Sequence, residues 1–174
     1  LTANLWFGMD MNVDYMTAVL GCSYSDGSIH YFDEIRQSNS NTEQLAIAMK
    51  KIAPGISVYP DATGSARSTT SNKSDHQILR DHGFNVIAKK VNPPIIDRIN
   101  ALNRMLQDAN GKIRMTVDPK CTYLIKDLEQ VQRSRDGKIE KVKDITLTHA
   151  FDACSYYIAM KHPVVKRLVT SSQW

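Results

Sequence analysis

The sequence predicts a mixed α/β domain, a sheet part antiparallel and part parallel with helices on both faces. Three observations carry this. Residues 5–35 hold three apolar, β-branched segments joined by short turns, with no helical period. From Ser40 onward, amphipathic helical patterns alternate with short apolar runs. The chain has 174 residues, 42% hydrophobic and 23% charged, which is the size and balance of one globular domain rather than of a disordered, collagen-like or disulfide-built chain.

The elements follow in order. Leu5 to Met9 is almost wholly apolar and ends at Asp10; Thr17 to Tyr24 is β-branched and apolar; Ile29 to Ile35 alternates after the Asp26-Gly27 turn signal, completing an antiparallel meander. Ser40 with Glu43 fits a capping box, and Leu45, Ile47, Ala48 and Ile52 trace a helix up to Pro54-Gly55. Ile56 to Tyr59 reads as a buried strand ending at Asp61, and the Gly/Ser/Thr-rich Ala62 to Lys73 as a mobile loop. Ser74 with Gln77 suggests a second capping box for a helix ending at Gly83, before a strand at Phe84 to Ala88. After Asn92-Pro93-Pro94, Ile95, Ile99, Leu102 and Leu106 mark a longer helix ending at Asn110-Gly111. Ile113 to Val117 reads as a short strand. Asp118-Pro119 then opens a helix with Leu124, Leu128 and Val131 on one side. Residues 132–147 read as a polar, alternating hairpin around Asp136-Gly137, the last helix is expected from Thr148-His149 to His162-Pro163, and 164–174 reads as a tail.

The charge balance, 22 basic against 18 acidic residues for a net +4, permits a nucleic-acid partner without requiring one. Cys22, Cys121 and Cys154 are odd in number and form no CxxC pair, so a disulfide framework and a zinc site are both disfavoured and a cytoplasmic setting is expected. No apolar run approaches the roughly 18 residues of a membrane-spanning helix. The chain opens on Leu1 without Met, as a domain cut from a longer protein would.

Three aspartates stand out by position. Asp10 and Asp61 each end a strand, and in such a sheet the first strand and the next parallel one are expected neighbours, with sites forming at their carboxyl ends. Asp152 lies in the first turn of the last helix, among Ala150, Ala153, Cys154 and Ser155, small enough to let that helix lie close on the sheet. Each has a plain structural reading as a turn, cap or helix-dipole residue. Together, three carboxylates repel one another unless cations neutralise them, and hard oxygen donors suit Mg²⁺ or Mn²⁺.

Gly8-Met9-Asp10, Tyr59-Pro60-Asp61-Ala62-Thr63-Gly64, Asp97-Arg98-Ile99-Asn100-Ala101-Leu102-Asn103 and His149-Ala150-Phe151-Asp152-Ala153, in this order, resemble the nuclease domain of tailed-phage large terminase subunits over nearly the whole chain. The resemblance implies a ribonuclease H-like, retroviral integrase-like fold spanning 1–174 as one nuclease domain. It implies that Asp10, Asp61 and Asp152 are the metal ligands and catalytic residues. The activity implied is cleavage of concatemeric double-stranded DNA during genome packaging, by two-metal phosphodiester hydrolysis. One ion would generate the nucleophilic water and the other would stabilise the leaving 3′ oxygen. It further implies an upstream ATPase domain, a portal or procapsid and a small terminase subunit as partners, and the cytoplasm of an infected bacterium as the setting.

Arg133, Arg135, Lys138, Lys141 and Lys143 in the hairpin, and Arg67 and Lys73 after Asp61, are candidates for phosphate contacts; solvated surface charge is the plainer reading of each. Arg98 lies off the apolar stripe of its helix and is expected to pair with a carboxylate. His149, three residues before Asp152, either contacts a phosphate, orients Asp152 or simply starts its helix. Asp14 reads as a turn residue.

Four competing readings remain. A PD-(D/E)xK nuclease would use Pro60-Asp61 with Asp118-Pro119-Lys120, but a proline fits poorly in the required strand. An actin-type ATPase needs a glycine turn after the first aspartate, which Met11-Asn12-Val13-Asp14 lacks; no P-loop motif occurs either. The others are a ribonuclease H-like nuclease of the resolvase or transposase type and a DNA-binding or docking module without catalysis.

Overall fold

The structure, a computed structural model, describes residues 3–12, 14–66, 72–131 and 146–164. Six strands form one sheet in the order β5-β4-β1-β2-β3-β6. β1 (Asn4–Asp10), β2 (Tyr15–Ser23) and β3 (Ile29–Ser38) are the antiparallel meander. β4 (Ser57–Pro60) runs parallel to β1, β5 (Asn85–Val86) parallel to β4, and β6 (Met115–Val117) parallel to β3.

The central strand β1 is buried on both sides, which is why its sequence is a continuous apolar run rather than an alternation. Phe7 and Met9 join Met16, Ala18 and Leu20 against α1 (Thr42–Ile52) and α2 (Asp75–Asp81). Trp6 faces the other way, with Val19, Tyr31 and Tyr59, toward α3 (Ile95–Leu106), α4 (Thr122–Gln130) and α5 (His149–Lys161). Its ring stacks on that of Tyr157 with centroids 3.4 Å apart. Gly8 sets how close α5 comes to the sheet: a Cβ there would lie 2.1 Å from the Ala153 carbonyl oxygen, so only glycine admits this approach.

Several local expectations are corrected. The capping box of α1 is Asn41 with Gln44, one residue beyond the Ser40/Glu43 pair; the Ser40 hydroxyl instead lies within hydrogen-bond reach of the Gln37 and Gln44 side-chain oxygens. The buried stripe of α1 is Thr42, Leu45, Ala46 and Met49, leaving Ile47 and Ile52 exposed. Ser74 does cap α2, but the Gln77 amide turns away to Asp81, so no box closes. Ala62–Ser65, expected as loop, is a 3-10 turn.

The helix after Asp118-Pro119 begins only at Thr122. The Asp118 carboxylate closes a turn by accepting the Lys120 N–H, while the first turn of α4 is capped by Glu34 of β3, which accepts the N–H groups of Tyr123 and Leu124 at 2.7 and 2.9 Å. α5 is capped in the same remote manner. Its own N-cap, Thr148, sits at φ 85 with no side-chain cap bond, and Asp127 of α4 accepts the Phe151 N–H at 3.0 Å. The expected hairpin at 132–147 falls outside the described residues up to 145, and the tail beyond Val164 does as well.

Candidate active site

Asp10 and Asp61 end adjacent parallel strands. Met9 pairs with Pro60, and the Asp61 N–H donates to the Met9 carbonyl at 3.1 Å, placing the two aspartates side by side at the carboxyl edge of the sheet. Asp10 belongs to the Trp6/Gly8 face by strand alternation, and the contact at Gly8 lays the first turns of α5 over that face. Asp152 comes from there. The Asp10 charge bears on Asp152, that of Asp61 bears on Asp10, and all three carboxylates bear on the Tyr156 hydroxyl, so the three lie in one neighbourhood.

Each carboxylate is held differently. Asp10 is buried, with His149 Nδ1 3.0 Å from its Oδ2. Asp61 is tied by four groups: its Oδ1 accepts from the Thr63 N–H and the Asn92 amide, both at 2.7 Å, its Oδ2 accepts from the Tyr156 hydroxyl at 3.1 Å, and His76 Nε2 lies 2.8 Å from its carbonyl. Asn92 also accepts the Ala62 N–H, clamping the turn after the strand. Asp152 pairs with Arg98, whose Nη1 donates to Oδ1 at 2.5 Å and to the Ser155 hydroxyl at 2.8 Å, while the guanidinium lies 4.8 Å from the Tyr156 ring centroid.

The electrostatics follow from this. Burial raises Asp10, His149 opposes it and the neighbouring Asp61 charge adds to it, leaving the carboxyl above its ordinary value. Burial likewise lifts Asp152 to about 6, with Arg98 opposing and Asp10 reinforcing. For Asp61, burial also works upward, but the bonds from Thr63, Asn92 and Tyr156 outweigh it and the carboxyl ends below its ordinary value. Two carboxyls reluctant to ionise beside one that is ionised is the pattern of crowded acids short of positive charge.

The other candidates sort cleanly. His149 lies against Asp10, and its charge also bears on Asp152. Arg98 pairs with a carboxylate as expected, yet it lies on the inner face of α3 with Ala101, Leu102 and Met105 rather than off it. Asp14 is exposed in a turn closed by Asn12, and Lys73 ion-pairs with Asp81 on the surface. Arg67, Arg133, Arg135, Lys138, Lys141 and Lys143 are outside the described residues. Asp118 and Lys120 follow the edge strand β6, four strand steps from β4 or roughly 19 Å; Lys120 faces Asp33 at 3.7 Å, so the PD-(D/E)xK pairing with Asp61 is not assembled. Sequence reasoning missed Tyr156 and Asn92. Tyr156 had a signal, being four residues after Asp152 and so on the same helix face; Asn92 had none beyond standing before two prolines.

The mixed sheet with helices on both faces and carboxylates at the strand ends defines a ribonuclease H-like domain. Residues 7–161 match the family described as terminase RNaseH-like domain, and the chain belongs to that family. Among solved structures it resembles the nuclease domain of the phage P22 large terminase, at 16% identity and TM-score 0.69 over 92% of this chain and 83% of that one. The large terminase nuclease of thermophilic phage G20c with bound magnesium matches at 14% identity and TM-score 0.62, over 90% and 81%. The nuclease domain of the bacteriophage SPP1 large terminase with bound Mn matches at 18% and 0.55, over 88% and 84%. At these identities the likeness is one of fold. No curated protein matches the sequence.

The donor set fits a divalent cation in kind, since Asp10, Asp61 and Asp152 offer hard carboxylate oxygens. Among the described residues, no three His, Cys, Asp or Glu side chains stand as a ready-made cation cage. The His149 and Arg98 side chains instead contact Asp10 and Asp152.

Proposed function

We propose that residues 1–174 are the nuclease domain of a phage large terminase, a metal-dependent endonuclease that cuts concatemeric double-stranded DNA during genome packaging. The observation that carries this is Asp10 beside Asp61 at the carboxyl edge of the sheet, with Asp152 of α5 close enough for the Asp10 charge to bear on it. Family membership supports it, as do the bound magnesium and Mn in the G20c and SPP1 nucleases.

In this reading Asp10, Asp61 and Asp152 hold two Mg²⁺ or Mn²⁺ ions. Bound divalent ions would supply an activated water and stabilisation of the leaving 3′ oxygen. The chain's own residues do the rest. Asp10 is the most rigid ligand, fixed in the central strand and backed by His149. Asn92, Thr63 and Tyr156 keep Asp61 ionised and aimed. Arg98 holds Asp152 in place and offsets its charge. Arg67, Arg133, Arg135, Lys138, Lys141 and Lys143 supply contacts to backbone phosphates in this reading. An upstream ATPase motor, the portal and procapsid and the small subunit are the partners in the infected cell.

Incubation of supercoiled plasmid with the protein in Mn²⁺, Mg²⁺ or EDTA tests this. Nicking or linearisation that needs the metal and vanishes in Asp10→Asn supports it. Metal-independent DNA binding without any cut would instead make the chain a docking module.

A further inference from the structure

We infer a second binding site on the same face, a pocket built around Arg36 that takes a backbone phosphate of DNA away from the cut; it rests on the nuclease reading above. Asp10 pairs with Thr17, and Thr17 with Arg36, so the three form one row across β1, β2 and β3 with their side chains on one face. Two strand steps put Arg36 roughly 10 Å from Asp10. The link is also made through side chains: the Tyr15 ring lies 5.6 Å from that of His149, which touches Asp10, and the Arg36 guanidinium lies 4.1 Å from the Tyr15 centroid on the far side of this chain.

Beside Arg36 is a cavity of about 230 Å³ lined by Tyr15, Arg36, Ser38, Tyr123 and Thr146. The guanidinium is held between two rings, with Tyr123 4.7 Å away, so its direction is fixed before anything binds. Its Nη2 is shut off from solvent and has no hydrogen-bond partner, a costly state for a cationic donor. Among the described residues the lining adds four hydroxyl groups and no carboxylate, and Lys126 reaches the Thr146 hydroxyl at 3.4 Å. A fixed cation beside a cavity lined by hydroxyls suits a phosphate oxygen, drawn by the guanidinium charge rather than by the enclosed Nη2. A stacked base is disfavoured because the guanidinium already covers both rings. Arg36 also sets positive charge against the buried Asp127, a structural role that the test must separate.

The test measures binding of a fluorescent DNA duplex by anisotropy across a KCl series, with Asp10→Asn as the parent so that no strand is cut. Arg36→Gln is expected to weaken binding about ten-fold at moderate salt. It should also lower the log–log salt slope by about one. Ser38→Asp, at an exposed position that leaves the packing of Arg36 alone, is expected to act the same way at an unchanged melting temperature. Unchanged affinity and slope in Ser38→Asp, or in folded Arg36→Gln, overturns the site while leaving the nuclease reading intact. Failure of the parent to bind duplex at all overturns the nuclease reading itself. Inorganic phosphate, added at constant ionic strength, separates the two sources of the group: Arg36-dependent thermal stabilisation by phosphate without any Arg36 effect on duplex binding would assign the pocket to a free anion and overturn the DNA assignment.

Discussion

The two faces of the sheet are built on different principles, although β1 contributes alternate residues to both. Toward α1 and α2 it sends Phe7 and Met9 into a layer of Met, Leu, Ala and Phe packed by apolar contact. Toward α3, α4 and α5 it sends Trp6, Gly8 and Asp10 into a layer that contains Arg98, Asp127, His149 and Asp152 as well as stacked aromatics. Apolar contact is forgiving of shape, whereas buried charge tolerates no loss of a partner. The first face therefore supplies stability and the second spends some of it to hold carboxylates together.

Substitutions on neighbouring residues of β1 and around it test this contrast. The largest effect is expected on catalysis: Asp61→Asn or Asp152→Asn should lower metal-dependent cleavage by more than about 100-fold. Met9→Leu, beside Asp10 in sequence but on the opposite face, should stay within about two-fold in the same plasmid assay. If Met9→Leu were as damaging as Asp61→Asn, the two faces would not be functionally separate.

Next comes Gly8→Ala, whose Cβ would collide with the Ala153 carbonyl. Chemical denaturation should show a loss of about 3 kcal/mol. Met9→Leu should lose less than about 1.5 kcal/mol.

The pH dependence has a definite sign. The Asp152 carboxyl is raised from 3.8 to about 6 in the fold, so it binds its proton more tightly folded than unfolded. That contribution is complete below the unfolded value and is lost as pH rises through about 6. In EDTA, the stability of the parent relative to Asp152→Asn should fall by on the order of 3 kcal/mol between pH 4 and pH 7, read from urea midpoints. Parallel curves would show that Asp152 carries no such penalty.

The smallest effect belongs to the remote cap of α4. Glu34→Gln keeps the shape but removes the charge that meets two backbone N–H groups, and should cost about 1 kcal/mol in the same denaturation measurement.

What the sequence disclosed follows the range of the forces involved. The apolar run ending at Asp10, the Asp26-Gly27 turn and the glycine at 83 are local, and the structure repeats them, with φ +80 and +90 at the two glycines. The placement of Asp10 beside Asp61 was legible because parallel neighbours share an edge. The starts of α4 and α5 were not, since Glu34 and Asp127 cap them across long separations that no local pattern encodes. The inward turn of Arg98 was hidden for a similar reason: an arginine on an apolar face makes sense only once Asp152 lies opposite it.

The remote caps also bear on the order in which the molecule assembles. The box of α1 closes between Asn41 and Gln44, so that helix can start before anything else is in place. The donors of α4 wait for an acceptor about 90 residues earlier in the chain, presented only by a formed β3. By loop-closure reasoning α1 is an early element and α4 a late one. The amides of Tyr123 and Leu124 then become reporters of folding, gaining protection from hydrogen exchange only when the last layer docks.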